Sequence, residues 1–158
     1  MAVQPIPAGY HTATIYLIVK GAAKALEFYK KAFGAVEIMR FEMADGRLGH
    51  AEMKIGDSPI MLADEFPEMG HKSPSTLGGC GTGIMLYVKE CDAMYNAAVA
   101  AGATVVKPLE NQFYGDRSGT VLDPFGHQWT ISTHIEDVSD EEMKRRHDEM
   151  MKPMGGAK

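Results

Sequence analysis

One pattern of six residues occurs twice. Ile15-Tyr16-Leu17-Ile18-Val19-Lys20 is answered 69 positions later by Ile84-Met85-Leu86-Tyr87-Val88-Lys89. Each copy leads into a short Ala-rich stretch that closes on Gly-Ala, at Gly34-Ala35 and Gly102-Ala103. Each half then ends in a hairpin-like unit, around Gly56-Asp57 in the first and Asp123-Pro124-Phe125-Gly126 in the second. Solenoid repeats are shorter, roughly 20–50 residues. The long period therefore implies a duplicated supersecondary unit whose two copies pair.

The local pattern supports this. Thr12 to Val19 is β-branched and apolar and reads as a strand. Ala22, Ala25, Leu26, Tyr29 and Phe33 form one helical stripe, and Gly34 suits the helix end. Val36–Met43 and Leu48–Ile55 read as strands joined through Asp45-Gly46, and Ser58–Ala63 as the next. Residues 64–82 are rich in Gly, Pro and Ser and read as a long loop. The second unit follows, with strand Gly83–Val88, helix Asp92–Ala101, and strands Thr104–Val106, Thr120–Asp123 and Gln128–Thr133. Ser139-Asp140-Glu141-Glu142 is a capping box for a last helix running to about Met151, with Pro153 and Gly155-Gly156 as a frayed tail. The expected fold is α+β, one domain of two βαβββ modules. Module 1 spans about 12–64, the linker 65–82, module 2 about 83–135, and the C-terminal helix and tail 139–158.

Composition excludes some functions. With a net charge of −5 the chain lacks the basic surplus that phosphate binding requires, so nucleic acid is not an expected partner. No apolar run reaches membrane-spanning length. Met1-Ala2-Val3-Gln4-Pro5-Ile6-Pro7 has neither the basic start nor the apolar run of a signal peptide. Cys80 and Cys91 lack metal-type spacing and read as reduced thiols, so a cytoplasmic location is expected. Cys91 lies near a helix start with no base beside it and reads as inert.

Three segments resemble a known family. Ala25-Leu26-Glu27-Phe28-Tyr29-Lys30-Lys31-Ala32-Phe33-Gly34 is similar to the first helix of the vicinal oxygen chelate superfamily, which includes glyoxalase I, extradiol dioxygenases and the fosfomycin- and bleomycin-resistance proteins. Gly49-His50-Ala51-Glu52-Met53-Lys54-Ile55-Gly56-Asp57-Ser58 resembles its PhnB-like subgroup. So does Tyr114-Gly115-Asp116-Arg117-Ser118-Gly119 with Asp123-Pro124-Phe125-Gly126-His127-Gln128-Trp129. The resemblance implies that the modules form a curled, U-shaped mixed sheet around a cavity. It also implies a homodimer.

Strand alternation then assigns faces. Ile15, Leu17 and Val19, with Ile84, Leu86 and Val88, should pack on the helices; Thr14, Tyr16 and Ile18, with Gly83, Met85 and Tyr87, should line the cavity. A two-residue loop at Gly56-Asp57 sets Glu52 opposite Met61 and His50 opposite Ala63, so His50 and Glu52 face the cavity. Thr130 is the repeat-mate of Met61, with Gln128 and Ser132 on its face, and the same offset places Arg117 and Val121 there. Trp129 falls in the core and His127 at the surface or capping the turn.

Superfamily enzymes hold a divalent metal with His, Glu or Gln on the first and last strand of each module. The resemblance places those positions at Thr14, Met61, Gly83 and Thr130. None carries a normal ligand side chain. No metal or other cofactor is therefore expected at the usual site. A displaced divalent centre at His50 and Glu52 is the remaining route, with His11, His127 and His134 contributing if the sheet brings them close.

The expected function is metal-independent capture of a small molecule in the sheet cavity. Candidate ligand-binding residues are Tyr16, Met61, Tyr87, Tyr114, Arg117, Gln128 and Thr130. The tyrosines have an alternative role as packing residues. Arg117 has one as an ion-pair partner of Asp116, Glu52 or Asp64. The alternative function is a metal-dependent lyase or dioxygenase with His50 and Glu52 as ligands or as acid and base. Against both, His50 and Glu52 could simply hydrogen-bond each other.

Overall fold

A computed structural model describes residues 3–152. The expected tail at Pro153 and Gly155-Gly156 lies outside the described residues. The elements are β1 (Ile15–Val19), α1 (Ala22–Phe33), β2 (Val36–Glu42), β3 (Leu48–Ile55), β4 (Ser58–Asp64), α2 (Pro74–Leu77), β5 (Gly83–Tyr87), α3 (Cys91–Ala101), β6 (Thr104–Asn111), β7 (Asp116–Leu122), β8 (Gln128–His134) and α4 (Asp140–Met150). The strands make two four-stranded mixed sheets, ordered β1-β4-β3-β2 and β5-β8-β7-β6. In each, the first strand of the module runs parallel to the last and the other pairs are antiparallel. This is the α+β architecture that the repeat implies. The two hydrogen-bond ladders stay separate, each closing on its own first strand.

Four local expectations change. The strand expected from Thr12 begins at Ile15, so Thr14 precedes it rather than facing the cavity from it. The bare loop at 64–82 holds a 3-10 turn at Pro67–Met69 and the short α2. The strand expected to stop at Val106 runs on to Asn111, and the one expected to start at Thr120 starts at Asp116. β6 is an edge strand, mostly exposed, with two breaks in register and a proline within it. That combination erases the alternation by which a strand is recognised.

The buried stripe of α1 is the one its spacing implies: Ala22, Ala25, Leu26, Tyr29 and Phe33 are all covered. Gly34 ends the helix at φ 64°, a conformation that a Cβ would strain, and its N–H bonds to Tyr29 O. The start of α1 is capped from a distance. Asp64, at the end of β4, accepts from Gly21 N–H (2.7 Å) and Ala22 N–H (3.0 Å), and its other oxygen accepts from Leu48 N–H (2.8 Å). A carboxylate there satisfies open amides and complements the helix dipole. In module 2 the end of β8 plays the same part through Thr133, whose hydroxyl accepts from Cys91 N–H (3.0 Å) and donates to Val88 O (2.8 Å).

Helices α1 and α3 pack on each other as well as on their own sheets. The buried residues of both modules form one apolar cluster. At its centre the Trp129 ring lies 5.3 Å from Tyr29 and 4.7 Å from Phe33, and both Trp129 and Tyr29 are fully buried.

Asp123 fastens that centre. One carboxylate oxygen accepts from Tyr29 O–H and Trp129 Nε1–H, both at 2.8 Å. The other accepts from the backbone N–H of Phe125 and of His127, both at 2.9 Å. The turn between β7 and β8 is thereby tied to α1 of the other module. The same turn carries His127, which is 7% exposed rather than at the surface. Its Nε2 lies 3.2 Å from Ile18 O on the free edge of β1.

Tyr29→Phe removes one of four donors from a buried carboxylate. It is expected to cost about 1–3 kcal/mol in urea denaturation with the fold unchanged. A neutral substitution would show that the tie contributes nothing.

Candidate functional site

The face of each sheet turned away from its helix is set by register. In module 1, β4 pairs with β1 and β3 so that Met61 lies beside Tyr16 on one side and Glu52 on the other. Ala51, Met53, Ile60 and Leu62 are buried on the helix side. Tyr16, His50, Glu52 and Met61 therefore share the open face. Phe41 on β2 is the ladder partner of His50.

These side chains are joined. His50 Nδ1 lies 2.9 Å from Tyr16 O–H, and His50 Nε2 lies 3.1 Å from Glu52 Oε1. Tyr10, from the segment before β1, donates its O–H to the second oxygen of Glu52. The His50 ring sits between Tyr16, 5.6 Å away, and Phe41, 6.4 Å away. The Tyr10 and His50 hydrogen bonds hold the Glu52 carboxyl below the usual carboxylate range. Burial and the Glu52 charge raise the Tyr16 phenol. At neutral pH Glu52 is thus an ionised acceptor and Tyr16 a protonated donor. A cavity of about 360 Å³ adjoins the row, walled by Tyr16, Met43, Arg47, Gly49, Phe66 and His71 among others. Arg47 stacks over Phe66 at 4.1 Å and pairs with Asp45 at 2.8 Å.

Module 2 carries a second polar cluster on its open face. Asp116, buried, accepts from Tyr87 O–H at 2.8 Å and Ser132 O–H at 3.3 Å, and lies 2.8 Å from His134 Nδ1. Burial would raise its pKa, and the bonds from His134, Tyr87 and Ser132 outweigh that and lower it. His134 Nε2 meets Asp137 at 2.9 Å. Thr130 shares its rung with Met85 and Thr120, and its hydroxyl lies 2.9 Å from that of Thr120. Gln128 is exposed on the same face. Tyr114 lies off the sheet, in the β6–β7 turn, edge-on to Phe113 at 5.3 Å.

Arg117 is on the other side, which corrects the register expectation. Its ladder partner is Thr133, a helix-side residue, and it grips Asp92 at the start of α3 with two hydrogen bonds of 2.7 Å. That contact holds the Asp92 carboxyl at about 2. Val121 is likewise buried on the helix side. The cause is parity. Leu122 pairs with Gln128, leaving a five-residue connection where module 1 has two residues between Ile55 and Ser58. An odd difference in length turns the whole strand over. The Arg117 ion pair is real, but its partner is Asp92 rather than Asp116, Glu52 or Asp64.

Sequence reasoning missed Tyr10, which lies in a Pro- and Gly-rich segment with no periodicity, and Asp116 as the hub of the second cluster. The alternation of Asp116 with buried Gly119 and Val121 would have found the latter, given the correct turn length.

The family's metal does not fit here. Thr14, Met61, Gly83 and Thr130 offer hydroxyls, a thioether and no side chain at all, and Thr130 is engaged with Thr120. Among the described residues no three His, Cys, Asp or Glu side chains gather as a metal group. His50 and Glu52 bond to each other rather than converging on a common point.

The profile of the Glyoxalase/Bleomycin resistance protein/Dioxygenase superfamily matches residues 10–131, and the chain belongs to that superfamily. It is 46% identical over 132 residues to the uncharacterized protein Mb0911c of Mycobacterium bovis, covering 82% of this chain and 87% of that one. The X-ray structure of the Arabidopsis thaliana gene product At5g48480 aligns with a TM-score of 0.63 and 28% identity, over 78% of this chain and 98% of that one. A PhnB protein from Bacillus cereus aligns with a TM-score of 0.59 at 14% identity, over 78% and 99% of the two chains. That last likeness concerns the fold alone.

Because ionised Glu52 can only accept, His50 Nε2 must carry the proton of their hydrogen bond. Neutral His50 is expected as the Nε2–H tautomer in long-range proton–nitrogen NMR. Observation of the Nδ1–H tautomer would contradict the row as described.

Proposed function

We propose that this protein binds a small organic molecule against the open face of module 1 and that binding needs no resident metal. The observation that carries the reading is the hydrogen-bonded row Tyr10–Glu52–His50–Tyr16, set among Phe41, Met43 and Met61 beside a cavity. A few fixed polar groups in an apolar, concave surround are what small-molecule capture requires.

The row also narrows the ligand. Arg117, the anchor expected for an anion, is spent on Asp92. The charge at the centre of the module 1 face is then the Glu52 carboxylate. Its depressed pKa keeps it ionised, and two donors fix it in place. Such a group selects a ligand that brings an N–H or O–H donor. The exposed rings of Phe41 and Tyr16 favour a flat, apolar body beside that donor. Aromatic amines and amides, neutral or cationic, meet both conditions.

The reading is tested by a thermal-shift screen of such compounds. A ligand present at about 100 times its Kd should stabilise the wild type by about 2.7 kcal/mol. Glu52→Gln should weaken it by about ten- to hundred-fold, as expected for loss of a charged acceptor worth about 1.5–3 kcal/mol. Arg117→Ala should leave affinity unchanged. The reverse pattern, with Arg117 needed and Glu52 dispensable, would sink the assignment.

A further inference from the structure

A second cavity, of about 410 Å³, lies between β1 and the start of β5, lined also by the linker. It shares Tyr16 with the cavity beside the open-face row, and its other lining residues are separate. Its wall is largely aliphatic, with Ile18, Leu77 and Ile84, and includes Lys72. Cys80 and His127 line it together. Cys80 is half-buried, whereas Cys91 is buried in the core.

The two groups are placed for reaction. Cys80 Sγ lies 3.6 Å from His127 Nδ1, with Thr82 O at 3.5 Å as a further acceptor. His127 is held from behind, since its Nε2 lies 3.2 Å from Ile18 O. A carbonyl oxygen has no proton, so Nε2 must carry the one in that bond. A neutral imidazole so fixed presents its Nδ1 lone pair to the thiol. The His127 backbone N–H is bound to Asp123 at 2.9 Å, which anchors the ring's base. A nucleophile, a base within reach and a third group orienting the base are the components of an activated thiol.

We propose that Cys80 and His127 form a thiol–imidazole dyad that captures a compact α,β-unsaturated carbonyl compound bound in this cavity. The polarisable sulfur selects the soft conjugated carbon, and the aliphatic wall holds the rest of the molecule. His127 Nδ1 takes the thiol proton as Sγ bonds to the β-carbon. The π pair of the C=C bond moves onto the α-carbon and the carbonyl oxygen as an enolate. The proton then passes from Nδ1 to the α-carbon, giving a saturated thioether and restoring neutral His127. No other reactant is consumed. Lys72 in the wall supplies positive charge for the enolate.

N-Ethylmaleimide is the probe, used on the 158-residue chain at neutral pH with labelling followed by intact mass and peptide mapping. Cys80 should be labelled ahead of Cys91. Its rate should exceed that of glutathione by at least about ten-fold, a modest share of what general-base assistance supplies, and should saturate with probe concentration. His127→Gln should lose that advantage, and Cys80→Ser should abolish the fast phase. A wild-type rate no greater than glutathione's, rising linearly with concentration, would overturn the proposal. So would undiminished reactivity in a folded His127→Gln protein. Should that variant fail to fold, the comparison with glutathione decides alone.

Discussion

Four donors converge on the carboxylate of Asp123, and the relation between the two modules depends on them. Tyr29 comes from the helix of module 1, Trp129 from the last strand of module 2, and the two amides from the turn itself. A polar group this deeply buried is tolerated only when fully bonded. Burial and the Asp123 charge push the Tyr29 phenol well above its ordinary value, so the hydroxyl remains a donor. The turn so fixed also delivers His127 to the free edge of β1 and brings its ring beside Cys80. Its length, five residues between Leu122 and Gln128, decides which side chains of β7 reach the open face.

The two copies of the module keep their scaffold and differ in their polar face. Both cap the helix start from the end of the last strand, with Asp64 in one and Thr133 in the other. Glu52 in module 1 gathers Tyr10 and His50, with Tyr16 bonded in turn to His50; Asp116 in module 2 gathers Tyr87, Ser132 and His134. These hubs stand at different register positions, Glu52 on the rung of Met61 and Asp116 on the rung of His134. Thr14, Met61, Gly83 and Thr130, where the resemblance places the family's metal ligands, carry no His, Glu or Gln. The described residues form two separate carboxylate clusters and a largely apolar cavity lined by a thiol.

Much of the fold was legible because it rests on local rules. The repeat specified two βαβββ units, and Gly56-Asp57 fixed the β3–β4 register pair by pair, from Ala51 with Leu62 to Ile55 with Ser58. His50 and Glu52 followed onto the open face from alternation alone. What failed was long-range or aperiodic. The orientation of Arg117 depended on a turn length that the Asp-Pro-Phe-Gly motif does not specify by itself. Tyr10 reaches Glu52 across 42 positions from a segment without periodicity. His127 and Cys80 meet across 47 positions because the linker folds against the β7–β8 turn, and nothing near either residue announces the other.

In the proposed function the open face of module 1 works through hydrogen bonds among Tyr10, Glu52, His50 and Tyr16 rather than through a bound cation. Metal content tests it most directly. Untagged protein, purified without chelator, would be assayed by elemental analysis, then melted with and without added nickel or zinc. The expected result is no stoichiometric metal and no specific rise in Tm. One metal per chain, or a large stabilisation lost in His50→Ala and Glu52→Gln, would contradict it and make those two side chains ligands of a displaced centre.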